Sequence, residues 1–320
     1  MSHDYVTVQT GARLHFGPLS YLPERGRHFG GIGMMINRPG VKLAVSRSQR
    51  SGETRCASLR AKGFYDHLSR CAPWGREPVE IDVSEEIPSH CGLGSGTQLA
   101  LALGDALAML HDRRFTPAQL AQMAGRGERS AIGLQGYELG GFLIDAGRLG
   151  ETDVGAMAVR LPFPEHWRIL LIRTVTGSGL HGDLEMNAFR NLPPMSEAIT
   201  GRLCRLALTE ILPSLQQHDF AAFTAALYEF GFHVGTFFSG AQQGVFSSPV
   251  IRSLATRLPV AEIGMAQSSW GPTVALFAEN DEAAKGLWRR VKSGPEGDLL
   301  QVELVTARNQ GREINRHRSA

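Results

Sequence analysis

Cys91-Gly92-Leu93-Gly94-Ser95-Gly96-Thr97-Gln98 stands between a strand pattern and a helix pattern. Upstream, Val79-Glu80-Ile81-Asp82-Val83 alternates as a half-buried strand does, and Pro88 closes it off from further pairing. Downstream, Leu99, Leu103, Ala106, Leu107 and Leu110 recur at three- and four-residue steps, the spacing of one buried helix face. Glycine at 92, 94 and 96 lets the backbone approach a ligand, and the first amides of a helix have no partner inside it. Such a strand–turn–helix is a nest for anions, phosphate above all, and Ser95 and Thr97 can add hydroxyl donors or hold a metal ion. The same glycines would also serve a plain tight turn, and the cluster alone does not separate the two. The lysine of a G-x-x-x-x-G-K-[ST] loop is missing, and so is a G-x-G-x-x-G fingerprint, which disfavours a dinucleotide fold.

Around this junction the first half reads as strands at 5–8 and 41–45, a helix opened by Thr116-Pro117 and ending near Gly125, and a glycine turn entering a strand at 140–145. The second half reads as a strand at 167–172, helices at 196–215 and 220–232, a strand at 273–277, a helix at 282–292 and a strand at 300–305. That order predicts an α+β layer with helices on one side of a sheet. Pro162 and Pro164 place a boundary near 155–165, giving lobes of 1–160 and 161–320. No internal repeat is visible.

The chain has 320 residues, 42% hydrophobic and 20% charged, within the range of a globular protein. Only the polar, arginine-bearing end, 311–320, is expected to be disordered. The net charge of +2 is near balance and the basic residues are scattered, which argues against nucleic acid as a partner. Four of the 33 basic residues are lysines, so the positive charge is mostly arginine, whose planar fork suits phosphate and carboxylate. Cys56, Cys71, Cys91 and Cys204 have neither zinc-site nor disulfide-framework spacing, so reduced thiols and a cytoplasmic location are expected. No signal peptide is apparent, and the apolar run at 99–110 is too short to cross a membrane.

Two further loops change the reading of the first. Ala12-Arg13-Leu14-His15-Phe16-Gly17 is followed by Arg27-His28-Phe29-Gly30-Gly31-Ile32-Gly33, and Gly264-Met265-Ala266-Gln267-Ser268-Ser269-Trp270-Gly271-Pro272-Thr273 feeds a late strand. Three such loops could converge on one polyanionic ligand. Together with Gly125-Arg126-Gly127-Glu128-Arg129-Ser130-Ala131-Ile132-Gly133, Gly140-Gly141-Phe142 and Gly179-Leu180-His181-Gly182, they resemble the motifs of the GHMP superfamily of small-molecule kinases. Within it, the closer resemblance is to the β-ribofuranosylaminobenzene 5′-phosphate synthase family. The matching phrases run from residue 12 to 273, and Gln267-Ser268-Ser269-Trp270-Gly271-Pro272-Thr273 is the most specific of them.

The resemblance implies a ribosomal-protein-like N-terminal lobe and a ferredoxin-like C-terminal lobe. It implies an enzyme of tetrahydromethanopterin biosynthesis, with magnesium and a homodimer. Its reaction condenses a 4-amino- or 4-hydroxybenzoate with 5-phosphoribosyl 1-pyrophosphate, releasing carbon dioxide and pyrophosphate. On this reading Gly92, Leu93, Gly94, Ser95, Gly96, Thr97 and Gln98 bind phosphate, with Gln267, Ser268, Ser269 and Trp270 beside them. Arg126 and Arg129 clamp the leaving pyrophosphate or the carboxylate, and Arg13 and Arg27 take the 5′-phosphate. His15, His28 and His181 can hydrogen-bond substrate, while Asp183 and Glu185 hold magnesium, with Asp145 as competitor. Each arginine would equally suit a solvated surface, each histidine a structural place, and Trp270 the core.

The main rival is an ATP-dependent kinase on the same scaffold. Many such kinases carry an aspartate after the second motif, whereas Arg129-Ser130-Ala131-Ile132-Gly133-Leu134-Gln135-Gly136 has no carboxylate. A kinase would need one elsewhere, such as Asp145. A binding protein that had lost its chemistry is a third reading, opposed by the polar content of all three loops.

Overall fold

A computed structural model describes residues 4–21, 26–48, 53–72, 77–127, 130–150, 153–175 and 192–318. The first lobe contains β1 (Tyr5–Gly17), β2 (Gly31–Arg47), β3 (Arg55–Cys56), α1 (Leu59–Cys71) and β4 (Val79–Glu85). It continues through α2 (Ser95–Leu110), α3 (Pro117–Met123), α4 (Ile132–Leu139), β5 (Phe142–Asp145) and β6 (Met157–Leu161). Next come β7 (Arg168–Thr174), α5 (Glu197–Arg205), a π turn at Leu206–Ile211, α6 (Leu212–Gln217), α7 (Phe220–Gln242) and α8 (Pro249–Arg257). β8 (Ala266–Gln267), β9 (Val274–Ala278), α9 (Asp281–Lys292), β10 (Leu300–Val305) and β11 (Glu313–His317) close the chain.

β2 organises the first sheet because it is long enough for several partners. Residues 31–34 pair with β5, residues 42–47 with β4, and most of its length with β1, all antiparallel. Apolar side chains of β1 such as Val6, Val8, Leu14 and Phe16 turn inward onto α2. α2 is more than the one-faced helix its periodicity predicts. Residues 98–108 are buried all round, enclosed by the sheet and by α1, α3 and α4. The one charged residue in that span, Asp105, accepts from the Tyr137 hydroxyl (2.8 Å) and from Arg312 Nε (3.0 Å), so its charge is paired inside.

The second sheet has the order β10-β7-β9-β8, with α9 against β7, β9 and β10. One face of this sheet, with Ile169, Leu171, Ala275 and Phe277, shares a core with the first sheet, where Phe16, Phe163 and Phe223 meet Phe277 at centroid distances of 5.4–6.2 Å. On the other face Leu170, Ile172, Val274 and Leu276 pack in a second cluster with α8 and α9. The chain passes from the first sheet to the second between β6 and β7 and returns to the first sheet at its end. β11 pairs with β1, Tyr5 opposite His317, so the polar tail expected to be disordered is an edge strand of the first sheet over 313–317. Main-chain pairing and the Arg312–Asp105 and Arg316–Asp4 ion pairs hold it there rather than apolar burial. α1, α4 and α8 have no counterpart in the sequence reading, and α7 runs ten residues beyond the expected 232, past Gly235.

Candidate functional site

The loop between β4 and α2 delivers Gly94 to the N-cap in the left-handed region (φ 73°), a conformation that suits glycine, with no side-chain cap. The first intrahelical bond runs from Gln98 N–H to Gly94 O (3.1 Å), so the amides of Ser95, Gly96 and Thr97 precede the ladder. All three residues line a cavity of about 800 Å³. Positive partial charge at the helix end thus points where an anion would sit.

The other two loops are stitched to this one. Arg13 N–H donates to Leu93 O (3.0 Å). The Ser268 hydroxyl donates to Gly92 O (2.6 Å) and accepts from His15 N–H (3.0 Å), while Ser269 N–H donates to His15 O (2.7 Å). Gly92 (φ 76°) sits so close to the third loop that a Cβ there would lie 2.3 Å from Ser268 O. The sequence expectation that three separated loops meet at one place holds in the fold.

Their side chains divide into those that face the cavity and those that brace it. Arg13 lines it and donates from Nη1 to Ser269 Oγ (2.7 Å). The Arg126 guanidinium lies over the first turn of α2: a Cβ on Gly96 would be 3.4 Å from its Cζ, and it stacks 5.0 Å above the Phe64 ring. His15, Ser269 and Trp270 also line the cavity, although Trp270 is mostly packed against Phe238 at 4.5 Å.

Four expected ligand-binding residues do not line it. Gln98 is fully buried, accepting from Thr10 Oγ1 (2.9 Å) and donating to Gly133 O (2.7 Å), because α2 has no open face at that turn. Gln267 donates to Gln242 Oε1 and Ser269 O (both 3.0 Å) and accepts from Ser247 N–H (2.8 Å), which makes it a brace of the third loop. Arg27 donates to Gly147 O (2.8 Å), drawn there by the pairing of His28 with Arg148. Ser268 is wholly buried as well, and its hydroxyl is spent on the stitch. Arg129, His181, Asp183 and Glu185 lie outside the described residues.

Asp145, the carboxylate a kinase would need, is fully buried. Its oxygens accept from Ala131 N–H (2.7 Å) and Gly147 N–H (2.8 Å), joining the start of α4 to the turn after β5. Burial raises its pKa, and the two backbone donors and Arg27 oppose that rise. It does not line the cavity.

The sequence reading missed one wall altogether. Arg60, Gly63, Phe64 and His67 of α1 recur at three- and four-residue steps and all line the cavity. The described lining therefore carries Arg13, Arg60 and Arg126 with three histidines, and no aspartate or glutamate. Among the described residues, no three His, Cys, Asp or Glu side chains group together as metal ligands. The four cysteines are free thiols, and no described helix is long and apolar enough to cross a membrane.

Comparison with known proteins agrees with this geometry. The profile described as GHMP kinases N terminal domain matches residues 60–141. A β-ribofuranosylphenol 5′-phosphate synthase of Methanothermobacter thermautotrophicus is 28% identical over 86% of this chain and 88% of its own. The protein of the same name from Archaeoglobus fulgidus is also 28% identical, over 96% of this chain and 98% of its own. Among solved structures, homoserine kinase from Cytophaga hutchinsonii superposes with a TM-score of 0.69 at 17% identity, covering 98% of each chain. At that identity the likeness establishes the fold and nothing of the substrate.

Proposed function

We propose that this chain, a member of the β-ribofuranosylphenol 5′-phosphate synthase family on the GHMP kinase fold, joins a 4-substituted benzoate to 5-phosphoribosyl 1-pyrophosphate. The ring carbon bearing the carboxylate attacks C1 of the ribose as the bond from C1 to the pyrophosphate oxygen breaks and its electron pair leaves with pyrophosphate. The para hydroxyl or amino group stabilises the cationic ring. The bond to the carboxylate then breaks, its electrons restore aromaticity, and carbon dioxide departs. Because the ring loses carbon dioxide rather than a proton, no general base is required. The observation that carries the reading is the described cavity lining, with three arginines and a helix N-terminus but no carboxylate. Phosphoryl transfer from ATP to an alcohol would instead call for a group to receive the hydroxyl proton, and buried Asp145 is a poor candidate.

In this reading the amides of Ser95, Gly96 and Thr97 and the Arg126 guanidinium neutralise the departing pyrophosphate, an electrostatic task in a partly closed site. Arg13, held by Ser269, presents charge from the opposite loop. Magnesium, when bound, supplies further neutralisation of phosphate oxygens. The Thr97 hydroxyl suits it as a partial ligand, and an ion of this kind characteristically takes its remaining oxygens from substrate phosphates and water. A homodimer belongs to the same proposal and is checked by light scattering. The relatives' name specifies a phenol product, which favours a hydroxyl as the para donor. The test is carboxyl-labelled 4-hydroxybenzoate and 4-aminobenzoate, each with phosphoribosyl pyrophosphate and magnesium. One labelled carbon dioxide per riboside is expected. Label retained in a riboside, or steady ADP formation with a phosphorylated alcohol when ATP is supplied, would overturn the assignment.

A further inference from the structure

α1 brings to the cavity an arginine that the three glycine loops do not contain. Arg60 Nη1 donates to Glu86 Oε1 (2.6 Å) and Ile87 O (3.3 Å), and Nη2 donates to Ser95 Oγ (3.1 Å). Three of the five guanidinium donors are engaged in this way, and the other two have no acceptor among the described residues. The side chain is 33% exposed and lines the cavity, whereas Glu86 does not line it. Glu86 thus fixes the guanidinium from behind while its open edge faces the space above the first turn of α2.

We infer that Arg60 is a binding residue for the diphosphate of the phosphoribosyl donor, and that it also orients Ser95. This rests on the function proposed above and deepens it. A serine hydroxyl has one proton to donate. Accepting from Arg60 leaves the Ser95 proton for the ligand, beside the free amides of the same helical turn. Arg126 stands over Gly96, one residue along, so two guanidinium groups flank the helix N-terminus. A diphosphate has enough oxygens to meet both forks, the helix amides and the Ser95 hydroxyl together, which a monocarboxylate has not. The prediction is therefore selective for the donor over the benzoate.

The experiment measures labelled carbon dioxide release in wild type, Arg60→Ala, Arg60→Lys and Glu86→Gln, with inorganic pyrophosphate as inhibitor against the phosphoribosyl donor. In Arg60→Ala the inhibition constant of pyrophosphate and the KM for the donor should rise roughly 10- to 100-fold, the scale of a lost charged hydrogen bond. The KM for the benzoate should stay within about twofold, and Glu86→Gln should fall between, since the charge remains but its anchor weakens. Unmoved constants, or an equal rise for both substrates, overturn the inference and leave the proposed function intact. A wild type that releases no label overturns the function instead, and calorimetric binding of pyrophosphate alone then decides Arg60 on the same variants. If Arg60→Ala does not melt cooperatively, Arg60→Lys is decisive. Lysine keeps the charge without the fork, so an unchanged pyrophosphate constant in that variant refutes the role.

Discussion

Replacing Ser268 by alanine separates bracing from binding at the third loop. The hydroxyl is fully buried, donating to Gly92 O (2.6 Å) and accepting from His15 N–H (3.0 Å). Its loss deprives a part-buried carbonyl and a buried amide of these bonds, each worth about 1–3 kcal/mol when left unmet. Gly92 O keeps a weak contact from Arg13 Nη1 (3.4 Å), which places its share at the low end. A total of about 2–4 kcal/mol follows, and at roughly 2 °C per kcal/mol for a chain of this size the Tm should fall by about 4–8 °C. Since Ser268 has no surface in the cavity, the KM values for phosphoribosyl pyrophosphate and for the benzoate should rise together. Ser269→Ala is the control. It removes the acceptor of Arg13 Nη1 (2.7 Å) in the cavity wall, so the donor KM should rise with little change in Tm. Thermal melts and two-substrate kinetics on both variants read this directly. A Ser268→Ala variant that melts with the wild type and loses affinity for the donor alone would refute the reasoning and return Ser268 to the ligand.

The two glycines of the loop should respond differently. Gly94→Ala costs about 1–2 kcal/mol for its left-handed backbone, because its Cβ would meet only the Arg13 side chain at 3.3 Å. Gly92→Ala drives a Cβ to 2.3 Å from Ser268 O and should part the loops, read as a larger loss of Tm and of activity. Arg126→Ala should lower kcat/KM by about 10²–10³-fold if it neutralises the leaving pyrophosphate, the scale of removing an oxyanion donor; a change under threefold would count against that role. The Arg316 hydrogen bonds hold the Asp4 carboxyl below its ordinary pKa. A lowered pKa means stability present above the ordinary aspartate range and lost as pH falls through and below it. Protection factors of the β11 amides, referred to the intrinsic exchange rate at each pH, should therefore fall in acid, and Asp4→Asn should flatten that dependence.

The strongest signals in the sequence came from local regularity. The glycine segment, the strand before it, the apolar spacing of α2 and the ordered loops at 12–17, 92–97 and 267–273 led to the α+β fold and to the place where the loops meet. Which side chains face the ligand was decided elsewhere. Gln98 and Ser268 lie in loop phrases that suggest binding, yet α2 is enclosed on every side and the third loop packs onto Gly92, so both point inward. Arg60, Phe64 and His67 show helical spacing, but α1 is too polar for that spacing to announce a buried face, and only its packing beside α2 turns them into a cavity wall. β11 is the extreme case, since Glu313-Ile314-Asn315-Arg316-His317 has little apolar content and gains its place through main-chain bonds to β1 and ion pairs to Asp4 and Asp112. Side-chain polarity records how much a segment gains by leaving water, whereas the partner it leaves water for is set by contacts some 300 residues apart in the chain.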